Sequence, residues 1–307
     1  MLEVKALSIS FFSYAYGLKK RHACAIRNLE LFINAGEVLA VVGQSGAGKS
    51  LLAHALLGLL PKNATMSGVF AFKGKILTNR DMKRLRGRQI VLIPQSVAYL
   101  NPLLCVGVQI ARAAELSGAS STTSRQIALD AIQRHGLSEE VARYLPFQLS
   151  GGMARRILTA MATVGGADLI LADEPTNGLD RANAKETLMS LRRLAEAGKA
   201  VLLITHDIET ALSIADRVSV FCGGITVEEA LSGDFNGQGK LRHPYTRALW
   251  DAVPGRRFVE SLSAGALVSP NGGCPFTTIC CEHTIQCDQD LPEMHAVAGG
   301  RVRCRNA

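Results

Sequence analysis

The stretch Leu149-Ser150-Gly151-Gly152-Met153 decides the fold of this chain, together with the run Leu169-Ile170-Leu171-Ala172-Asp173-Glu174 that follows it. The first stretch sets a serine and two glycines ahead of a helical pattern, so that hydroxyl and N–H groups at the helix start can face an anion. The second is an apolar run that is typical of a buried strand and ends in adjacent carboxylates. Taken singly, they are an ordinary helix cap and a solvated strand end, so their meaning depends on the rest of the chain.

A phosphate-binding loop lies upstream of both stretches. Segment 43–50 reads GQSGAGKS and fits the pattern G-x-x-x-x-G-K-[ST]. It follows the apolar run Val38–Val42, which predicts a buried strand, and it leads into the helical pattern Leu51–Leu57. Glycines let backbone N–H groups close on phosphate oxygens, and the helix start adds a favourable dipole. The predicted ATP-binding residues of the loop are Gly43, Gln44, Ser45, Gly46, Ala47, Gly48, Lys49 and Ser50.

With these motifs in place, the chain resembles the nucleotide-binding subunits of ABC transporters. The resemblance implies an α/β fold, namely a P-loop ABC ATPase core with an antiparallel β subdomain and with a helical subdomain inserted at about residues 96–165. It also implies that Ser150, Gly151 and Gly152 contact the ATP of a second subunit, so that each ATP lies between one chain's Lys49 and another chain's Ser150. Apolar periodicity predicts helices at Val106–Leu116, Thr123–His135, Ser150–Val164 and Ala182–Ala197.

The resemblance assigns further roles in ATP hydrolysis. Lys49 reaches the β- and γ-phosphates, and Glu174 polarises the attacking water. His206 matches the switch histidine that contacts the γ-phosphate, although a lone histidine after a strand is more often structural. Asp180 ends the segment that matches the D-loop, and it is also suited to cap the following helix. The expected Mg²⁺ site is formed by Ser50, Gln95 and Asp173, of which Gln95 matches the Q-loop glutamine.

An aromatic side chain after the first strand is expected to stack on adenine. The segment Leu2–Phe11 predicts a strand, and a second strand is predicted near Asn28–Asn34. Phe11 fits the spacing best, but Phe12, Tyr14 and Tyr16 compete with it, and an aromatic near a strand is usually just packed. Arg155 and Arg156 follow the Ser150 motif, either near the subunit interface or simply solvated.

Composition bounds the class of protein. The chain has 307 residues, of which 20% are charged, with a formal net charge of +8. No run approaches the roughly 18 uncharged apolar residues that a membrane span needs, and the N-terminus has no signal-peptide pattern. The basic residues are scattered and lack an aromatic-basic stripe, so we expect no nucleic-acid partner. Attraction to an anionic membrane surface, or simple solubility, explains the charge as well.

The C-terminal part of the chain indicates which branch of the family it resembles. Segment 243–249, which reads HPYTRAL, is followed by Val253-Pro254 and resembles the end of oligopeptide, dipeptide and nickel importer ATPases. We therefore divide the chain into a nucleotide-binding domain at residues 1–240 and a C-terminal segment at residues 241–307 that carries a small cysteine-rich appendage.

Cysteines crowd this segment. In a reducing compartment clustered cysteines favour a metal over disulfides, and four thiolates suit a four-iron four-sulfur cluster or Zn²⁺. The resemblance to the dipeptide branch favours the cluster, while zinc and free thiols stay open. Cys281 is the expected spare, and His283 or His295 could replace a cysteine if the metal is zinc. The fourth ligand is less secure, because Arg301–Arg305 departs from the family's pattern. The predicted ligands are Cys274, Cys280, Cys287 and Cys304.

The function that the resemblance implies is ATP hydrolysis coupled to import of peptides, or of nickel or metal chelates, across the cytoplasmic membrane. The expected partners are a second ATPase subunit, identical or different, two transmembrane permease subunits and an extracytoplasmic substrate-binding protein. The chain would then lie peripherally on the cytoplasmic face of the membrane. Rival interpretations are a soluble ABC ATPase of translation or DNA repair, an exporter ATPase, and a regulatory subunit that does not hydrolyse ATP. Intact Glu174 and His206 favour a competent site over the last of these.

Overall fold

The structure, a computed structural model, describes residues 1–14, 20–236, 240–255 and 272–307. Tyr16, one of the aromatics considered for adenine stacking, lies outside the described residues. The chain divides into two compact units. Unit 1 comprises Met1–Ile33, Val38–Leu77 and Thr205–Ala307, and unit 2 comprises Asn34–Glu37 and Thr78–Ile204.

Strands and helices alternate along much of the chain. The strands are β1 (Leu2–Tyr14), β2 (Lys20–Ile33), β3 (Val38–Gly43), β4 (Ala64–Phe72), β5 (Lys75–Ile76), β6 (Ile90–Ile93), β7 (Leu169–Asp173), β8 (Ala200–Thr205), β9 (Arg217–Cys222), β10 (Ile225–Leu231), β11 (His295–Val297) and β12 (Gly300–Val302). The helices are α1 (Lys49–Leu56), α2 (Asn79–Leu85), α3 (Val106–Leu116), α4 (Ser121–Arg134), α5 (Gly151–Thr163), α6 (Arg181–Glu196), α7 (Ile208–Leu212), α8 (Pro244–Asp251) and α9 (Gln286–Gln289).

Unit 1 contains an antiparallel sheet with the strand order β2-β1-β4-β5. Apolar side chains of β1 and β2 are buried on one face of it, among them Leu2, Ile9 and Ile26. Ile9 pairs with Ile26, and the register between the two strands shifts on either side of Leu7. The antiparallel β subdomain predicted from the sequence is therefore present, but β2 begins at Lys20, well before the predicted start near Asn28.

A second sheet of unit 1 carries the phosphate-binding loop. Its strand order is β11-β12-β10-β9-β3, in which β3 and β9 are parallel and the remaining pairs are antiparallel. Every residue of β3 is buried, as expected for a parallel strand that is covered on both faces.

The cysteine-rich C-terminus is part of unit 1, which corrects the expectation of a separate appendage. Strand β12 extends the sheet, since Glu228 of β10 pairs with Val302. The side chain of Arg303 is only 2% exposed and donates hydrogen bonds to backbone carbonyl oxygens of Thr226, Pro292 and Asn28. These backbone pairs and buried contacts fix the chain end to the core instead of leaving it as an appended module.

In unit 2, strands β6, β7 and β8 form parallel pairs in the order β8-β7-β6. Strands β7 and β8 are buried throughout, which explains why the sequence shows continuous apolar runs there and no alternation. Parallel strands point their carboxyl ends to one edge, so the residues that follow β6 and β7 gather at that edge. The buried strand predicted at Leu169–Ala172 is confirmed and extends to Asp173.

The helical insertion lies between β6 and β7 in the chain. Helices α3, α4 and α5 bury a common apolar cluster that includes Ile110, Ile132 and Ile157. The predicted span of α3 is confirmed, whereas α4 begins two residues before the predicted Thr123, because the Ser120 hydroxyl caps it at the N–H of Thr123. No helix in the described part of the chain is long and apolar enough to cross a bilayer.

Candidate functional site

The phosphate-binding loop joins β3 to α1 through backbone conformations that require glycine. At Gly43, where φ is 154°, a Cβ atom would lie 2.2 Å from the carbonyl oxygen of Phe221. At Gly48, where φ is 92°, a Cβ would meet the carbonyl oxygen of Ala25 at 3.0 Å. Gly46 also has a positive φ, of 85°, but a Cβ there would touch nothing within 4 Å. The first and last glycines therefore serve packing, and the middle one faces open space.

Lys49 is the first residue of α1 and is buried, with 7% of its surface exposed. Its Nζ donates to the carbonyl oxygen of Gly43 at 2.7 Å and to that of Gln44 at 2.9 Å. No side chain caps the start of α1. The start of an α-helix carries the positive end of the helix dipole, so this end suits an anion. The ammonium group and the helix start together form a site for phosphate oxygens.

A residue that sequence reasoning missed contacts this loop. The N–H of Gln44 donates to the hydroxyl oxygen of Tyr245 at 3.2 Å. Tyr245 belongs to α8, whose start is capped by the imidazole of His243, and the carboxylate of Glu228 accepts the N–H groups of Arg242 and His243. The sequence had marked segment 243–249 only by resemblance; no local pattern indicates a contact with a loop about 200 positions away.

Two further predicted site residues lie in unit 1. His206 directly follows β8 and is exposed, and the next residue, Asp207, caps α7 by accepting the N–H groups of Glu209 and Thr210. Phe11 is half-buried in β1, opposite Ala23 of β2. Both roles, γ-phosphate contact and adenine stacking, stay predictions.

In unit 2, the carboxylates of Asp173 and Glu174 stand at the end of β7 and are 5% and 7% exposed. Glu174 has a φ of 47°, a left-handed backbone conformation that residues other than glycine rarely adopt. Its N–H donates to the carbonyl oxygen of Ile204 at 2.8 Å, which holds the chain in this turn. Backbone strain of this kind concentrates at functional sites, where the surrounding structure enforces it.

Arg155 secures the same turn. One guanidinium nitrogen donates to the carbonyl oxygen of Glu174 at 3.1 Å, and the other donates to that of Asn177 at 2.6 Å. Burial lowers the pKa of Arg155, and the Glu174 carboxylate partly offsets that shift. Of the two expectations for Arg155, a simply solvated side chain is wrong, because it braces the residues that link the two acidic positions to the D-loop segment; a position near the subunit interface stays a prediction.

The remaining predicted residues of unit 2 occupy element ends. Ser150 caps α5 by accepting the N–H of Met153 at 3.3 Å, and both glycines after it have open space where a Cβ would be. Gln95 is exposed, two residues beyond Ile93, which pairs with Ala172 of β7. Asp180 caps α6, and hydrogen bonds from Asn183 lower its pKa. The loop residues near Lys49 are thus assembled in unit 1, and the carboxylates, Gln95 and Ser150 in unit 2.

The C-terminal cysteines line one small cavity of about 20 Å³ together with His243. The imidazole Nε2 of His243 lies 3.8 Å from the Sγ of Cys274. Burial raises the pKa of Cys274 to about 11, so its thiol is neutral in the absence of a bound metal. Cys281 is exposed, and His283 interacts with Asp288 at 2.8 Å. The cysteines that line the cavity are the four predicted ligands, Cys274, Cys280, Cys287 and Cys304.

The expected metal site is corrected in one respect. Among the described residues, no three His, Cys, Asp or Glu side chains are placed to hold one metal ion. A tetrahedral Zn²⁺ site needs ligands that converge to within about 2.3 Å of a single point. The zinc alternative, including substitution by His283 or His295, therefore does not fit. A four-iron four-sulfur cluster would take four thiolates around its periphery, and four cysteines line this cavity.

Comparison with known proteins identifies the family. The ABC transporter family pattern matches residues 26–177. The oligopeptide transport ATP-binding protein OppD of Salmonella typhimurium is 33% identical over 323 residues, which cover 99% of this chain and 92% of that protein. The dipeptide transport ATP-binding protein DppD of Bacillus subtilis is 33% identical over 310 residues, which cover 95% of this chain and 90% of that protein.

A solved structure supports the fold. The dimeric post-hydrolysis state of the ATP-binding cassette MJ0796 bound to ADP and Pi superposes with a TM-score of 0.67 at 27% identity, covering 76% of this chain and 99% of that one. The P-loop ABC ATPase fold predicted from the sequence is confirmed. The sequence similarity to OppD and DppD extends further, to 99% and 95% of this chain.

Proposed function

The chain belongs to the ABC transporter family as an ATP-hydrolysing subunit, and from that premise we propose that it powers the import of peptides. The assignment of peptides as cargo depends on how much of this chain is similar in sequence to peptide-transport proteins. The peptide-transport relatives match over 99% and 95% of this chain, including the HPYTRAL segment, whereas the cassette structure covers 76%. A similarity confined to the ATPase core would carry no information about the branch. Peptides are therefore preferred to nickel or metal chelates, which the sequence alone left open.

The proposed reaction follows the chemistry of the residues in the two units. Lys49 and the uncapped start of α1 bind the phosphates, and Ser50, Gln95 and Asp173 would hold Mg²⁺, which would neutralise charge on the transferred phosphoryl group. Glu174 orients and polarises the attacking water. His206 contacts the γ-phosphate, and Phe11 stacks on adenine.

The proposal includes a second ATPase subunit. Ser150, Gly151 and Gly152 lie at the exposed start of α5, where a partner's γ-phosphate can approach hydroxyl and N–H groups. Closure of two subunits on two ATP molecules would move the helical insertions, and these would act on two permease subunits at the cytoplasmic face of the membrane. An extracytoplasmic binding protein delivers the peptide. No nucleic-acid partner is part of the proposal.

A transport experiment tests the cargo. In cells that lack the gene for this chain, we expect uptake of labelled di- and oligopeptides to fall and nickel uptake to stay unchanged, and the wild-type gene to restore uptake. A gene carrying Glu174→Gln should not restore it. Loss of nickel uptake with normal peptide uptake would contradict the peptide assignment. Copurification of permease subunits with the tagged chain separates a transporter subunit from a soluble ABC ATPase.

We also infer that the four cavity-lining thiols hold a four-iron four-sulfur cluster. Its support is that the four predicted cysteines line one cavity, Cys304 beside the closely spaced Cys274, Cys280 and Cys287, while the expected spare Cys281 is not among the lining residues. Such a cluster would brace the C-terminal segment, because peptide transport needs no electron transfer. Protein purified without oxygen should contain iron and labile sulfide in a ratio of about 1:1. The change Cys280→Ser should abolish both and Cys281→Ser should leave them intact. An iron content below about 0.1 iron atoms per chain would contradict the assignment.

A further inference from the structure

The hydroxyl of Tyr245 holds the beginning of the phosphate-binding loop. Tyr245 is fully buried, and its hydroxyl oxygen accepts the N–H of Gln44 at 3.2 Å. Gln44 is the second residue of the loop and follows Gly43 at the end of β3. All the groups in this contact belong to unit 1. The C-terminal segment thus reaches the ATP-binding machinery directly.

The position of this hydroxyl is set by its surroundings. Helix α8 begins with Pro244, and the Nδ1 of His243 accepts the N–H of Tyr245 at 3.0 Å. The ring of Phe276 meets the tyrosine ring edge-on, with 5.3 Å between centroids. Burial raises the pKa of Tyr245, so the hydroxyl stays protonated and uncharged. Because the ring of Tyr245 is buried and its backbone N–H is bonded to His243, the hydroxyl oxygen has one position and is a fixed acceptor.

The backbone of Gln44 is held on both sides. Its N–H donates to Tyr245, and its carbonyl oxygen accepts from the Nζ of Lys49 at 2.9 Å. Lys49 also donates to the carbonyl oxygen of Gly43 at 2.7 Å. The two carbonyl groups that hold the lysine flank the N–H that Tyr245 binds. A rotation of that peptide unit would therefore displace the acceptors that orient the Lys49 ammonium group.

We propose that Tyr245 is a positioning residue for ATP binding, which fixes the Gly43–Gln44 peptide and through it the Lys49 ammonium group. Without the hydroxyl, the Gln44 N–H loses its buried partner, and the peptide gains freedom that ATP binding must then remove. A net hydrogen bond of this kind corresponds to about a threefold to tenfold change in affinity. This inference rests on the ATP-binding role of the loop and adds a contribution from the C-terminal segment.

The test uses the full-length chain with Tyr245→Phe, which removes the oxygen and keeps the ring. We expect the KM for ATP to rise about threefold to tenfold with little change in kcat, because Glu174 lies in the other unit. Hydrogen exchange at the amide of Gln44, measured without nucleotide, should accelerate. Tyr144→Phe, which changes a half-buried tyrosine packed on the helical cluster of unit 2, is the matched control and should alter neither measurement.

A double-mutant cycle with Gln44→Pro separates the hydrogen bond from a general loss of packing. Proline removes the donor, so adding Tyr245→Phe to it should not raise the KM further. The proposal would be overturned if the two substitutions together raised the KM by the product of their separate effects. An unchanged exchange rate at Gln44 in Tyr245→Phe would also overturn it. The exchange measurement needs no nucleotide. Absence of ATP hydrolysis by the wild type would therefore count against the proposed function, while the exchange rate would still decide this inference.

Discussion

Arg155 donates a hydrogen bond to the carbonyl oxygen of Glu174 across 3.1 Å, joining helix α5 to the residue that is expected to polarise water. The same guanidinium group reaches Asn177 at 2.6 Å. A single side chain from the helix that begins with the Ser150 motif thereby fixes the turn that follows β7. The left-handed backbone of Glu174, with φ at 47°, is stabilised by this contact and by its own N–H bond to Ile204.

Replacing Arg155 should impair hydrolysis more than ATP binding. In Arg155→Gln the carbonyl groups of Glu174 and Asn177 lose a planar double donor, which a shorter amide does not replace. We expect kcat to fall about tenfold, since a displaced catalytic group readily loses that much, with a small change in the KM for ATP. Arg156→Gln is the matched control, because Arg156 donates to Gly136 instead. Equal losses in the two variants would contradict a specific role for Arg155.

Replacing Glu174 tests the water-polarising role. Glu174→Gln keeps the shape of the buried side chain but removes its basicity, so ATPase turnover should fall about 100-fold or more. Binding of ATP should persist, because the phosphate contacts come from the loop that holds Lys49. Glu209→Gln, an exposed change in α7, should leave turnover unchanged. Turnover that survives in Glu174→Gln would show that another group acts on the water.

The glycines of the loop should differ in their effect on stability. Gly43→Ala places a methyl group 2.2 Å from the Phe221 carbonyl oxygen, which forces backbone movement in the core. We expect it to lower the free energy of unfolding by about 3 kcal/mol or more. Gly46→Ala meets open space, so only its positive φ opposes it, at about 1 kcal/mol. Chemical denaturation measures both, and similar losses would contradict the steric explanation.

Arg303 should anchor the C-terminus. Its buried guanidinium donates to three backbone carbonyl groups, so Arg303→Met leaves those acceptors unsatisfied. We expect a loss of about 3 kcal/mol in unfolding free energy. Arg305→Met removes a more exposed arginine that contacts Asp290 and should cost less than about 1 kcal/mol. If the two variants unfold alike, the C-terminal strand is not fixed by this side chain.

His135 should make unit 2 sensitive to acid. Burial and the neighbouring Arg134 lower its pKa in the folded chain, so below the ordinary value of 6.5 the unfolded chain binds a proton that the folded chain does not. Stability is therefore lost as pH falls through the window below 6.5. In His135→Gln, the unfolding free energy should decline less steeply over that window. His295→Gln, in the exposed part of β11, serves as control. An unchanged slope in His135→Gln would contradict the prediction.

Much of the site was predictable because it depends on short-range pattern. The loop around Lys49, the carboxylates after β7 and the cap formed by Ser150 each lie in a strand–turn–helix or loop–helix context that apolar periodicity reveals. Strands β4, β5, β10, β11 and β12 were not predicted, and three of them, β5, β11 and β12, are only two or three residues long. Strands of two or three residues carry too little periodicity to be recognised, and they form because a neighbouring strand offers hydrogen bonds.

The amino-acid sequence by itself determined the family and the ATPase core, and it placed the motif residues at the ends of strands and helices, because glycine conformations, strand burial and helix caps are encoded within a few neighbouring positions. Only the tertiary structure decided that Tyr245 reaches Gln44, that Arg155 braces Glu174, and that four cysteines line one cavity. These contacts depend on how distant elements pack. Packing is set by the summed shape of many side chains, which no local pattern records.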